Sequence, residues 1–437
     1  MAELVWKGKG RTRAGASAPL RVDELHGDLA APARWRNRLV LGGAEQVLRS
    51  LLPELAGKIA LVYVDPPFVT GGDFDFLATI PGAPEGTERI AVRAYRDAAG
   101  LDAWLAAFHP VALALRDLLA DGGSLYVHLD AHVAHYAKVL LDGVFGGGAF
   151  QREIVWRIGW VSGFKSRARN WVRNHDTILF YAKGGRGFTF HKEYVPYPPG
   201  YVRRDGVPPK GRGYPIEDVW NASDVDRLDS IQIMSFSGEK VGYPTQKNEG
   251  LLSRILRASS SPGDLVLDCF AGSGTTAVVA EKLGRRWIAC DASPVAIHAA
   301  RKRLLSLPAA TPFAVESARG FAPGGGERGD LAVRAAVDGR QCTLQLESFD
   351  LPAHAVPPPT RGRVAHWSQW IEGWCVDWHH EGGALRVGSR AWRARGKAEL
   401  ALSLAHSYER PGRYVALVRA YDVLGGSVSK TLRLAVK

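Results

Sequence analysis

Apolar residues in the first 305 positions fall into two kinds of stretch. One kind is short and nearly unbroken: Leu39-Val40-Leu41, 59–64, 124–129, 153–156, 177–181, 265–269 and 287–290. Runs of this length, rich in β-branched and aromatic residues and closed by Gly, Pro or Asp, predict buried strands. The other kind is longer, with apolar positions recurring every three or four residues: 44–55, about 97–120, 132–143, 251–258, 275–283 and 294–305. These predict helices, the second stopped at Asp121-Gly122-Gly123. Strand and helix alternate, most cleanly over 265–305, so the pattern predicts an α/β fold.

The pattern changes towards the end of the chain. Residues 311–330, with Pro323-Gly324-Gly325-Gly326, read as a linker. Asp338-Gly339 then lies between two alternating runs, a hairpin signal. Pro357-Pro358-Pro359 separates that hairpin from a last all-β part. There, 408–422 followed by Gly425-Gly426 resembles the final strands of a PKD or immunoglobulin-like sandwich. Trp367, Trp370, Trp374 and Trp378 are expected in its core. At the other end, residues 1–36 are a basic, Gly-rich arm without the apolar segment of a signal peptide. The expected divisions are therefore 1–36, a first α/β half 37–183, an insertion 184–240, a second α/β half 241–310, the linker 311–330 and a β-rich domain 331–437.

Charge narrows the partner. The formal charge is +12 and the pI about 9.6, as expected of a protein that meets a polyanion, or of an Arg-rich proteome. Residues 152–212 hold 13 Lys and Arg against 4 Asp and Glu, interleaved with Trp156, Trp160, Phe164, Trp171, Tyr194 and Tyr197. Basic and aromatic residues broken by Gly and Pro suit a nucleic-acid surface. Cys269, Cys290, Cys342 and Cys375 form no CxxC pair, which fits a reducing cytoplasm and no structural zinc. His128, His132 and His135 straddle a strand end and a helix start, and no metal is expected there. No run is long enough to span a membrane.

Two strand ends carry candidate chemistry. Asp65-Pro66-Pro67-Phe68 stops the strand 59–64 with a carboxylate, a carbonyl and an aromatic ring where α/β sheets bind ligands. Asp268-Cys269-Phe270-Ala271-Gly272-Ser273-Gly274-Thr275 takes a strand through a glycine turn into a helix, whose free N–H groups can meet an anion. Asp291 ends the next strand, placed to accept from ribose hydroxyls. The full GxGxxG pattern and a Walker A lysine are both missing, which disfavours dinucleotides and ATP.

Together these motifs resemble the β-class amino-methyltransferases of DNA, close to the type III modification subunits. Asp65-Pro66-Pro67-Phe68 is similar to their catalytic motif, Phe270-Ala271-Gly272-Ser273-Gly274 to their S-adenosylmethionine motif, and Tyr243-Pro244-Thr245-Gln246-Lys247 to the segment preceding it. The catalytic half comes first, which is the order of the β class, and the likeness covers about 37–305. It implies a Rossmann-like methyltransferase sheet with an inserted target-recognition region. It further implies S-adenosylmethionine as cofactor and the N6 of adenine in double-stranded DNA as acceptor. Cytosine N4, RNA adenine, or a catalytically degenerate DNA-binding subunit are the alternatives. A separate restriction subunit and a homodimer are candidate partners. Asp65 and the Pro66 carbonyl would accept from the target amine, with Pro67 fixing the turn and Phe68 stacking on the base. Asp268, Phe270 to Thr275, Asp291, Gln246 and Lys247 would hold the cofactor, and Arg157, Lys165, Arg167, Arg169 and Arg173 the phosphates. The chain departs from the family pattern at Gly43, where an acid is usual and Glu45 is the nearest substitute, at Asn248 for Pro, and at Phe68 for Tyr.

Overall fold

The computed structural model describes residues 4–7, 9–10, 18–27, 35–81, 89–97, 100–157, 169–220, 238–308, 310–321, 329–352, 355–356, 361–362, 364–394 and 397–437. The α/β part begins with β1 (Arg21–His26), β2 (Asn37–Leu41), α1 (Ala44–Leu55), β3 (Ile59–Val64), β4 (Asp73–Ala78), β5 (Ile90–Arg96) and α2 (Leu101–Leu118). It continues through β6 (Leu119–Leu129), α3 (Ala134–Phe145), β7 (Phe150–Arg157), β8 (His175–Ala182), and the short β9 (Tyr194–Val195), β10 (Tyr214–Pro215) and β11 (Val219–Trp220). Then come α4 (Glu249–Ser259), β12 (Leu265–Asp268), α5 (Thr275–Lys282), β13 (Arg286–Asp291), α6 (Pro294–Leu305) and β14 (Phe313–Ser317). The rest is β: β15 (Asp330–Asp338), β16 (Gln341–Asp350), β17 (Ile371–Asp377), β18 (Leu385–Arg386), β19 (Ser389–Trp392), β20 (Ser403–Ser407), β21 (Gly412–Asp422) and β22 (Ser427–Val436).

Unbroken apolar strands need cover on both faces, and the helices supply it. Val62 and Val64 of β3 pack with α1, α2 and α3, while Leu61 and Tyr63 pack with α4, α5 and α6. β12 and β13 alternate in the same way. The sheet order is β11-β7-β8-β6-β3-β12-β13-β2-β14-β1-β18. β3 pairs in parallel with β6 on one side and β12 on the other. The chain leaving β3 returns through α2 on one face, and the chain leaving β12 returns through α5 on the other. Between these two strands the connections diverge, leaving a crevice beyond their carboxyl ends. This is the Rossmann-like α/β sheet expected from the sequence.

Several expectations are corrected. The arm 1–36 contributes β1, antiparallel to β14, and buries Trp6 in the core beneath α1 and α2. The linker 311–330 contains β14, a fully buried strand paired with β2. Asp121-Gly122-Gly123 lies inside β6 rather than ending a helix, since α2 passes directly into that strand. β4 and β5, which the apolar pattern did not predict, form a hairpin. Trp156, counted among the DNA-facing aromatics, is buried in the sheet core.

The C-terminal strands form two sheets, β15-β16-β20 and β19-β17-β21-β22, with Trp370, Trp374 and Trp378 buried between them. The hairpin before the proline run thus shares a sheet with β20 instead of standing apart. This sandwich is joined to the α/β sheet by β18, which lies parallel to β1. At the seam, Glu24 is fully buried and meets His26 at 2.9 Å, Arg301 at 3.2 Å and Arg419 at 3.1 Å. Burial opposes its charge, but the surrounding cations hold its carboxyl below the usual range.

Candidate functional site

The two candidate turns meet in the crevice. They line one cavity of about 220 Å³, with Asp65, Pro66 and Phe68 on one side and Asp268, Phe270, Gly272 and Asp291 on the other. Tyr243 and Lys247 close it from the segment before α4.

On the glycine side, the backbone is held by its own acids. Asp268 accepts from Phe270 N (2.9 Å) and Thr276 Oγ1 (2.6 Å). Asp291 accepts from Gly272 N and Ser293 N, both at 2.9 Å. Gly274 has φ +77°, and a Cβ there would lie 2.6 Å from Ala300 Cβ, so only glycine lets α5 approach α6. Burial raises both acids, Asp268 to about 7. Ser273 and Thr275 share a hydroxyl contact at 3.2 Å and both accept from Arg303, at 3.1 and 2.8 Å. Arg303 is a buried cation 28 residues after Thr275, missed because nothing local in the sequence points to it.

On the Asp65 side the supports are borrowed. Asp65 Oδ2 is bridged by Lys247 Nζ, and Asp65 Oδ1 is buried with no partner among the described residues. Lys247, assigned by sequence to the cofactor, therefore sits on Asp65, with its ammonium 5.6 Å from the Phe68 ring centroid. Its carbonyl accepts from Thr275 Oγ1 at 3.1 Å, so one residue touches both turns. Gln246 ties its own loop, donating to Glu239 O and accepting from Val241 N.

Asp97, which the sequence did not single out, is the chief support of the turn at Asp65. Its carboxylate accepts from Phe68 N (3.1 Å), Val69 N (2.8 Å), Thr70 N (3.0 Å) and Thr70 Oγ1 (2.7 Å). Val69 and Thr245 have φ of 62° and 54°, the two non-glycine residues with positive φ among those described. β-Branched residues in that region cost on the order of 1–3 kcal/mol each and need surrounding structure to hold them. Asp97 holds the first, and Tyr95 holds the second through Thr245 Oγ1 at 3.1 Å. Trp104 Nε1 donates to the Pro67 carbonyl at 2.6 Å. Behind Phe68, His128 lies in near-parallel stacking at 6.2 Å and is itself fixed by Tyr63 (3.0 Å) and Asp176 (3.2 Å).

Of the expected phosphate contacts, Arg157 and Arg169 are exposed, while Arg173 is engaged by Asp176 and Asp130. Lys165 and Arg167 lie outside the described residues. Glu45 bonds Arg49 at 2.9 Å and does not line the cavity, so it does not replace the acid usual at Gly43. Among the described residues no group of three or more His, Cys, Asp or Glu could hold a metal, and no helix is long and apolar enough to cross a membrane.

The glycine turn and the acid-ended strand thus open into one crevice of an α/β sheet. The chain belongs to the DNA methylase family, whose model matches residues 59–302. It is similar to the type II methyltransferase M.EcaI of Enterobacter cloacae, 28% identical over 56% of this chain and 64% of the relative. The type II methyltransferase M1.MboII of Moraxella bovis is 34% identical over 40% of this chain and 69% of its own. The StyLTI Mod subunit of Salmonella typhimurium, a type III restriction-modification enzyme, is 23% identical over 63% of this chain and 54% of its own. The chain thus spans roughly half to two thirds of these relatives. The solved M1.HpyAVI–SAM complex aligns with 62% of this chain and 99% of its own at a TM-score of 0.41 and 18% identity.

The family uses S-adenosylmethionine, and the cavity fits it. Four carboxylates, Asp65, Asp97, Asp268 and Asp291, line the space against one ammonium, Lys247, which suits a ligand carrying an amino group and a sulfonium. A Cβ on Gly272 would come 3.2 Å from Tyr243, so the turn leaves its ligand-side backbone bare.

Proposed function

We propose that this protein methylates DNA at an exocyclic amine, the N6 of adenine, with S-adenosylmethionine as donor. The observation carrying this reading is the buried, unpartnered Oδ1 of Asp65 in a cavity shared with the glycine turn. An exocyclic amine is a weak nucleophile because its lone pair is delocalised into the ring. Asp65 Oδ1 and the Pro66 carbonyl accept its two N–H bonds and draw the nitrogen towards sp³ geometry. Proline is suited to this turn because it fixes φ and has no N–H to compete. Phe68, backed by His128, stacks on the extruded base. The bound cofactor supplies an electrophilic methyl. Asp268 would pair with its amino group, Asp291 with its ribose and Ser273 with its carboxylate, while the Thr275 hydroxyl is committed to the Lys247 carbonyl. Proximity of the two held substrates supplies much of the rate. Asp65 takes the released proton once the new N–C bond has formed.

Exposed Arg157 and Arg169, with Trp171 at 98% exposure and the tyrosines of the 184–220 insertion, form the surface that meets the duplex. An acid at the first motif position favours adenine over cytosine, since cytosine-N4 members often carry Ser there. The likeness to a Mod subunit makes a separate restriction protein a candidate partner.

The test is methyl transfer from labelled cofactor to duplex DNA and to RNA, followed by nucleoside analysis. N6-methyl-2′-deoxyadenosine from duplex DNA is expected. N4-methylcytosine, or label in RNA alone, would overturn the assignment of the acceptor.

A further inference from the structure

We infer that the C-terminal β-sandwich is a positioning element for methyl transfer, acting through the β4–β5 hairpin. The inference rests on the reaction proposed above for the turn at Asp65. The hairpin has no place in the central sheet; it leans instead on the other domain. Phe76, Ala78, Ile80, Ile90 and Ala94 belong to one buried cluster with α6 and the sandwich core around Trp370 and Leu424. Gln369, in the turn before β17, donates from Nε2 to the Pro81 carbonyl at the hairpin's end, at 2.8 Å. The other end of β5 is the part that reaches the site. Asp97, just past it, takes the amides of residues 68–70 on its carboxylate and that of Gly71 on its carbonyl. Tyr95 holds Thr245, two residues before Lys247, the cation on Asp65.

Both strained backbone positions beside the site are therefore fastened to one strand, and that strand is seated on the sandwich. Packed apolar contacts transmit such placement because a close-packed core resists small shifts. Asp97 and Tyr95 are positioning residues in this scheme. The glycine turn is held by its own acids and does not depend on the hairpin in the same way.

Gln369→Glu tests this in the full chain. The substitution keeps the Oε1 that caps residues 365 and 366 and replaces the donor facing Pro81 with an acceptor. Amide exchange of residues 68–71 is expected to rise roughly tenfold, with kcat falling by a similar factor. KM for S-adenosylmethionine should stay within about twofold, which general loss of stability would not spare. Asp97→Asn should give a larger change at the same amides. Ile80→Ala, which thins the shared core, should reproduce the pattern if Gln369→Glu does not fold. Wild-type exchange at 68–71 and wild-type kcat in Gln369→Glu, with Asp97→Asn accelerating both exchange and loss of activity, overturn the inference. If the wild-type protein transfers no methyl group, the proposed function fails, while the exchange measurement still decides whether the sandwich seats the turn.

Discussion

The two turns of the site are built on opposite plans. In the glycine turn, Asp268 and Asp291 each place both oxygens on residues of the same motif, so the turn's shape is fixed by its own hydrogen bonds. In the turn at Asp65, that residue has one oxygen on Lys247 from a distant segment and the other buried without a partner among the described residues. Its backbone is held from outside by Asp97 and Trp104. A self-satisfied turn is ready to bind. On the function proposed above, a turn with an unmet acceptor is ready to react, the missing donor being the one the substrate would bring. An unpaired buried carboxylate oxygen is costly, of the order of 1–3 kcal/mol, and persists only where other structure enforces it.

The comparison can be broken by perturbing each turn alone. Asp65→Ala should have the largest effect, lowering methyl transfer by roughly a thousandfold or more. Duplex binding by gel shift and cofactor binding by calorimetry should stay within about threefold; retained transfer would remove Asp65 from its role. Gly274→Ala should act on the other turn, because its Cβ would collide with Ala300. A loss of about 1–3 kcal/mol is expected in chemical denaturation, with weakened cofactor binding.

The acidity of Asp268 sharpens the contrast further. Burial raises it to about 7, above its value in the unfolded chain, so the folded protein keeps a proton that the unfolded chain releases. That contribution to stability is present at low pH and is lost as pH rises from about 4 through 7. Binding a cationic amino group needs the carboxylate, so cofactor affinity should rise with pH. Below pH 7 the limit is about tenfold per pH unit, and Asp268→Asn should flatten the profile. The smallest change is expected from Gly43→Asp. Gly43 caps α1 with φ −64°, and a Cβ there meets nothing within 4 Å. The new acid should stabilise the chain by a few tenths of a kcal/mol as an N-cap. If it reaches the cofactor as the family's usual acid does, affinity should rise roughly threefold.

The same contrast explains what could be read from sequence. The glycine turn was legible because strand, turn, acids and helix are consecutive, and its ligands to itself lie within 19 residues. Asp65 was legible because two prolines stop an apolar strand abruptly. Asp97 was not, since the amides it holds lie 27 to 29 residues earlier, across a hairpin whose first strand looks like a polar loop. Lys247 was placed with the cofactor by its neighbours in sequence, and its side chain turns to Asp65 because that acid needs a counter-charge. β1 and β14 escaped notice as short segments flanked by Gly and Pro, and they become strands by pairing with each other, β14 also with β2 and β1 with β18.

The buried carboxylate of Glu24 links the history of the two domains. Arg301 and His26 belong to the α/β part, but Arg419 comes from the sandwich. A lineage that shed the last hundred residues would strand this acid at a raw sheet edge and lose one of its counter-charges. Loss of the extension and replacement of Glu24 should therefore have happened together. Shorter relatives are then expected to carry a neutral residue where this chain has Glu24, a pattern readable by aligning members with and without the sandwich.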